Sequence, residues 1–85
     1  VRHVIVRTAA KAAELLAQLN AGSDFAELAR EHSIDASARE GGNLGFFQRG
    51  DLHPDFEAAA FALEVGDLSE VIQTPVGFHI IQRTN

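Results

Sequence analysis

The 85-residue sequence predicts an α+β domain in which a small, mainly antiparallel sheet is wrapped by helices. A short β-branched run opens the chain, stretches rich in good helix formers occupy its middle, and two apolar runs joined by Thr74-Pro75-Val76-Gly77 close it. The expected element order is β-α-α-(short α)-β-α-β-β, within a single domain spanning residues 1–85.

Val1-Arg2-His3-Val4-Ile5-Val6 reads as the first strand. Alternation places Val1, His3 and Ile5 on one face and Arg2, Val4 and Val6 on the other. Apolar residues on both faces predict a central strand covered on each side, with His3 buried. Residues 9–21 carry Ala12, Leu15, Leu16 and Leu19 at helical spacing, and Gly22 is placed to end that helix. Asp24 with Glu27 forms a capping-box pattern, and Phe25, Leu28 and Ala29 make the buried stripe of a second helix ending near His32.

Residues 33–50 organise the rest. Asp35 is placed to cap a short helical turn within 33–40. Gly41, Gly42 and Gly45 then crowd three glycines into five positions, which calls for unusual torsions or close backbone approach. Residues 43–48 read as a short strand, with Leu44 and Phe46 facing one way and Phe47 the other. Pro54 suits the first position of a further helix, which turns Phe56, Ala59, Ala60 and Leu63 inward and runs to Gly66. Residues 68–73 and 78–83 are the arms of a hairpin by their turn chemistry.

Apolar residues make up 46% and charged residues 22%, ordinary for a globular chain. A net charge of −5 argues against nucleic acid and anionic membrane as partners, both of which want a basic face. No cysteine is present, which excludes a thiolate nucleophile and a disulfide framework and leaves the redox compartment open. No run approaches the roughly 18 apolar residues of a membrane span. The abrupt strand start without methionine reads as a domain excised from a longer chain or a processed product, so its compartment stays open. Four histidines raise a zinc reading, but their spacing does not resemble a ligand set, and no metal or cofactor is expected.

Arg2-His3-Val4-Ile5, Asp24-Phe25-Ala26-Glu27-Leu28-Ala29, the stretch 33–50, Pro54-Asp55-Phe56-Glu57 to Ala62-Leu63, and Gly77-Phe78-His79-Ile80-Ile81 together resemble the parvulin-type peptidyl-prolyl cis/trans isomerases. These blocks occur in order over essentially the whole chain. The resemblance implies a four-stranded antiparallel sheet surrounded by about four helices, and a site on one sheet face that twists an Xaa-Pro amide. It puts Asp35 beside the bound peptide bond, where relatives carry cysteine or aspartate. It matches His3 and His79 to paired histidines on the two central strands and Thr74 to the hydroxyl residue linked to them, which makes these three, as a buried hydrogen-bond network beneath Asp35, the expected catalytic set together with it. Leu44, Leu52 and Phe56 match the apolar wall of the proline pocket. Phe47 lies next to that wall, and His53 at its rim is a candidate substrate contact.

Only Arg7, Thr8 and a few alanines separate the first strand from the first helix. The basic loop of phosphate-directed parvulins is thus absent, and the resemblance implies the bacterial, phosphate-independent type. The expected activity is non-covalent isomerisation of Xaa-Pro bonds in unfolded or flexible segments, with proline-containing peptides as partners and a monomeric isolated domain. The alternative is a catalytically weak peptide-binding or chaperone module of a multidomain folding factor; a purely structural dimerisation domain would leave the Gly41-Gly42 loop unexplained. Simpler readings stand beside each site residue: Leu44, Leu52 and Phe56 as core, the histidines as buried structural groups, Asp35 as a helix cap, and Thr74 as the start of a turn.

Overall fold

The computed structural model describes residues 1–44, 50 and 52–84. Within them the chain runs β1 (Arg2–Val6), α1 (Ala9–Asn20), α2 (Phe25–His32), a short 3-10 helix (Ala36–Glu40), α3 (Pro54–Ala62), β2 (Ile72–Thr74) and β3 (Gly77–Gln82). The expected order holds apart from the strand predicted at 43–48. Of that strand, Asn43 forms an antiparallel bridge with Arg2, and residues 45–48 lie outside the described residues.

The helix starts follow from their caps. Thr8 Oγ1 accepts the Lys11 amide at 3.1 Å, and Asp24 Oδ2 accepts the Glu27 amide at 3.2 Å. At the other end of α1, Ser23 N–H bonds the Gln18 carbonyl and Gly22 N–H bonds that of Leu19, the paired closure of a Schellman motif. Gly22 takes φ +107° to make it. Pro54 begins α3, as its fixed φ favours. That helix stops at Ala62 rather than running to Gly66: Leu63 is already extended, and Arg83 Nη1 satisfies its carbonyl at 2.7 Å. Gly66 instead serves the turn that follows, donating to the Arg83 carbonyl.

The three strands are antiparallel in the order β1-β3-β2. β3 is therefore the middle strand of the three, whereas the outer edge of β1 is taken by the segment after α2. His3 N–H bonds the Gly42 carbonyl, Leu44 N–H that of Val1, Ile34 N–H that of Ile5, and Ile5 N–H the Ser33 hydroxyl. Gly42 sits so close that a Cβ there would stand 2.1 Å from the His3 carbonyl oxygen. This contact, with φ +82°, is the physical requirement behind the glycine pair.

The sheet separates two apolar clusters, as the two-faced first strand predicts. On one face Val4, Val6 and Ile80 pack against Ala12, Leu15 and Leu19 of α1 and Phe25 and Ala29 of α2. On the other, Val1 and Ile81 meet Phe56 and Ala60 of α3, with Leu44, Leu52, Leu63 and Ile72 partly buried around them. Each fully buried aliphatic side chain, such as Leu15 or Ile80, contributes roughly 1.5–3 kcal/mol. The first face is thus closed by two helices. The second is closed by α3 over only part of its area, and the remainder is where polar side chains gather.

Candidate functional site

Register brings the polar groups together. Ile5 pairs with His79, which also pairs with Ile72, and His3 pairs with Ile81, so the two histidines lie diagonally on the α3 face of the sheet. His3 is 5% and His79 4% exposed. Their rings stack with centroids 5.6 Å apart at 27°. Phe56 meets both edge-on, at 5.5 Å from each. Such offset and T-shaped contacts suit the ring quadrupoles and lock all three side chains.

Each histidine is tied by Nε2. His79 shares a 2.6 Å hydrogen bond with Thr74 Oγ1, a bond made near the hairpin turn. His3 Nε2 lies 3.1 Å from Asp35 Oδ2 and 3.2 Å from Ser37 Oγ. An ionised carboxylate only accepts, so His3 carries its proton on Nε2 and donates to Asp35. Ser37 also donates its hydroxyl and its amide, the latter at 3.0 Å, to the same Asp35 oxygen. The capping role of Asp35 and its place in the site therefore coincide: one oxygen starts the 3-10 helix and anchors His3. The Nδ1 atoms of both histidines are buried and have no hydrogen-bond partner among the described residues.

These environments set the charges. Burial pushes the His3 imidazole below its usual range, partly offset by Asp35. Burial, with His3 close by, lowers His79 to about 4. Burial alone would raise Asp35, but the hydrogen bonds from Ser37 and then His3 outweigh it and hold its carboxyl at about 2. At neutral pH the site is one carboxylate beside two neutral, stacked imidazoles.

Asp35, His3 and Ser37 have the residue types of a hydrolytic triad but not its geometry. A triad needs the acid on one imidazole nitrogen and the hydroxyl on the other. Here both oxygens meet Nε2, so the ring cannot take a proton from serine while the acid steadies it.

Around this network lies a cleft of about 370 Å³ lined by His3, Ile5, Asp35, Leu44, Leu52, His53, Phe56, Thr74, Val76 and His79. Seven of the eight expected site residues are thereby brought to one place; the eighth, Phe47, lies outside the described residues. His53 is at the rim, where its Nδ1 accepts the Asp55 amide at 3.2 Å as the cap of α3. His32 is elsewhere, in the last turn of α2 beside Glu31. Ile5, Val76 and Ser37 are site residues that the sequence reading does not single out. Strand alternation already puts Ile5 on the face of His3, and Ser37 stands two residues after an Asx-type cap, where a hydroxyl returns to the carboxylate. Val76 sits in the hairpin turn with no distinguishing sequence signal.

Known proteins share both the sequence and this architecture. The family model described as Rotamase, PPIC-type PPIASE domain, matches residues 4–85. The foldase protein PrsA of Halalkalibacterium halodurans is 48% identical over 98% of this chain, and the chaperone SurA of Methylobacillus flagellatus is 44% identical over 96%. The chain spans only 25% and 21% of those two proteins. Among solved structures, the peptidylprolyl isomerase PrsA from Bacillus anthracis superposes with a TM-score of 0.97 at 40% identity, over 99% of this chain and 39% of that one. NmPin, the parvuline of Nitrosopumilus maritimus, gives 0.89 at 42% identity, over 99% of this chain and 91% of that one. Sequence and fold agree: this chain belongs to the PPIC-type peptidyl-prolyl isomerase family, the parvulins.

Proposed function

We propose that this domain accelerates cis/trans rotation about Xaa-Pro bonds in flexible or unfolded protein segments, acting as a monomer without metal, cofactor or covalent intermediate. The observation that carries the reading is the placement of an ionised carboxylate at the edge of an apolar cleft walled by Leu44, Leu52 and Phe56.

Amide resonance makes the uncatalysed barrier roughly 18–20 kcal/mol. No bond to the substrate has to form, so catalysis needs only a site that prefers the twisted amide to the planar one. A thousandfold acceleration asks for about 4 kcal/mol of that preference. The pyrrolidine ring fits against Phe56, Leu44 and Leu52, while the carbonyl on the other side of the bond is left to swing. In the planar amide the carbonyl oxygen carries charge delocalised from nitrogen. A negative carboxylate nearby opposes that charge separation, and an apolar surround withdraws the water that supports it. Twisting removes the charge separation, so Asp35 and the wall both favour the twisted form. His3, His79 and Thr74 act as positioning residues: neutral and stacked, they fix Phe56 from below and hold Asp35 from one side.

Thr8 already caps α1 two residues after β1 ends, leaving no room there for a basic phosphate-binding loop. Substrates are accordingly not required to be phosphorylated. The test is exchange spectroscopy on a panel of short Xaa-Pro peptides at sub-stoichiometric protein. Cross-peaks between cis and trans signals, growing with protein concentration, are expected. Binding shifts without any exchange across the panel would overturn this reading in favour of a peptide-holding module, the role suggested by the chaperone name of the SurA relative.

A further inference from the structure

The side chain of Glu57 is buried yet takes no part in the cleft's polar network. It is 8% exposed, on the turn of α3 that also carries Phe56. Its Oε1 folds back past the start of the helix and accepts two backbone amides, Gly50 at 2.7 Å and Leu52 at 3.0 Å. Helix capping does not account for this, since His53 caps α3 with its own side chain and the Glu57 amide bonds the His53 carbonyl. Burying a carboxylate is expensive unless strong donors compensate. What this one gains is a fixed position for Gly50 and Leu52, which lie outside strand and helix; Leu52 and the neighbouring His53 line the cleft. Phe56 and the Leu52 loop are thereby held to one another through consecutive residues of a single helix turn.

Resting on the isomerase reading, we infer that Glu57 is a positioning residue for substrate affinity: it clamps the Leu52 loop against α3, so that the proline pocket is formed before peptide arrives. A preformed wall spares the substrate the entropy of ordering the loop. Loss of the clamp then weakens binding more than it slows the bound reaction, because Leu52 grips the pyrrolidine ring, which is the same in both forms, while Asp35, Leu44 and Phe56 still favour the twisted amide.

The experiment compares Glu57→Ala and Glu57→Gln with the parent domain, using one unphosphorylated Xaa-Pro peptide and three readouts: peptide Kd by NMR titration, cis/trans exchange at saturating peptide, and hydrogen exchange of the Leu52 amide. Glu57→Ala is expected to weaken Kd about tenfold, on the scale of losing one charge-assisted hydrogen bond, with saturated exchange changed less than about twofold and Leu52 amide exchange accelerated. Glu57→Gln keeps an acceptor oxygen in place and is expected to restore most of the affinity and amide protection. Should Glu57→Ala fail to fold, Glu57→Asp withdraws the carboxylate by one methylene and is expected to show the same pattern. Unchanged Kd and unchanged Leu52 protection in the shortened variant would overturn the inference, as would a fall in saturated exchange as large as the loss of affinity. If the parent domain bound peptide but drove no exchange, the isomerase reading would fail, while Kd and amide protection would still decide the role of Glu57.

Discussion

Lowering the pH from 6.5 to 4 removes stability from this domain chiefly through His79. Its folded-state value is about 4 against an ordinary 6.5, because the ring is buried against His3 and Phe56. Between those limits the unfolded chain binds a proton that the folded chain refuses, so stability rises with pH across the window and is lost on acidification. A difference of two to three pKa units corresponds to about 3 kcal/mol, a large fraction of the roughly 5–15 kcal/mol that holds a typical domain folded. His3 is lowered by the same cause and adds in the same direction. Asp35 acts in a lower window: its carboxyl is depressed to about 2, so its contribution is complete above the ordinary 3.8 and fades only as pH falls toward 2. Urea unfolding at intervals from pH 4 to pH 7 reads the slope. The control is the double variant Thr74→Val/His79→Phe, which replaces both partners of the 2.6 Å hydrogen bond by apolar groups of similar shape and leaves neither orphaned; the Val76 amide, which gives a long 3.4 Å bond to Thr74 Oγ1, belongs to an exposed turn residue. The parent protein should lose about 3 kcal/mol more than this variant between pH 6.5 and pH 4. Identical slopes in the two proteins would refute the assignment of His79 as a buried, neutral ring.

Two further substitutions, with Gly66→Ala as the reference for one of them, test the architecture around Asp35 and β1. Gly42→Ala should cost more than about 3 kcal/mol in urea unfolding, since it combines an unfavourable φ with a Cβ driven into the His3 carbonyl. Gly66→Ala, at φ +94° but with nothing within 4 Å of its Cβ, should cost only about 1–2 kcal/mol; equal costs would remove the close-approach explanation of the glycine pair. Ser37→Ala removes a donor to Asp35 Oδ2, so the Asp35 carboxyl should titrate upward toward its ordinary value and stability should fall by about 1 kcal/mol. A carboxyl carbon titration by NMR that leaves Asp35 unmoved would show that Ser37 does not hold it.

Those residues also mark what the sequence makes legible. Elements whose ends are set by local chemistry are readable: Thr8 and Asp24 cap, Gly22 closes, Pro54 opens, and Pro75-Val76 turns the hairpin. Sheet alternation correctly sorts His3 and Ile5 from Val4 and Val6, because the period of two is a backbone property. The end of α3 is misjudged since Leu63, an ordinary helix former, yields to a tertiary contact from Arg83, twenty residues downstream. The middle position of β3 is likewise unreadable locally, as strand order depends on pairing between distant segments. At the site, resemblance supplies the positions of His3, Asp35, Thr74, His79 and the apolar wall, and the cleft joins them. Glu57 escapes a sequence reading because a glutamate on an alanine-rich helix reads as solvated. Only its bonds to the backbone at 50 and 52 reveal a buried role.

The most direct test of the central claim, that a non-covalent site with Asp35 at its edge turns the prolyl bond, is Asp35→Ala assayed for peptide binding and cis/trans exchange in the same sample. The account predicts exchange reduced tenfold or more, about 1.4 kcal/mol of lost preference for the twisted amide, while peptide Kd stays within about threefold because the Leu44, Leu52 and Phe56 wall is untouched. Exchange at the parent rate in Asp35→Ala would contradict it.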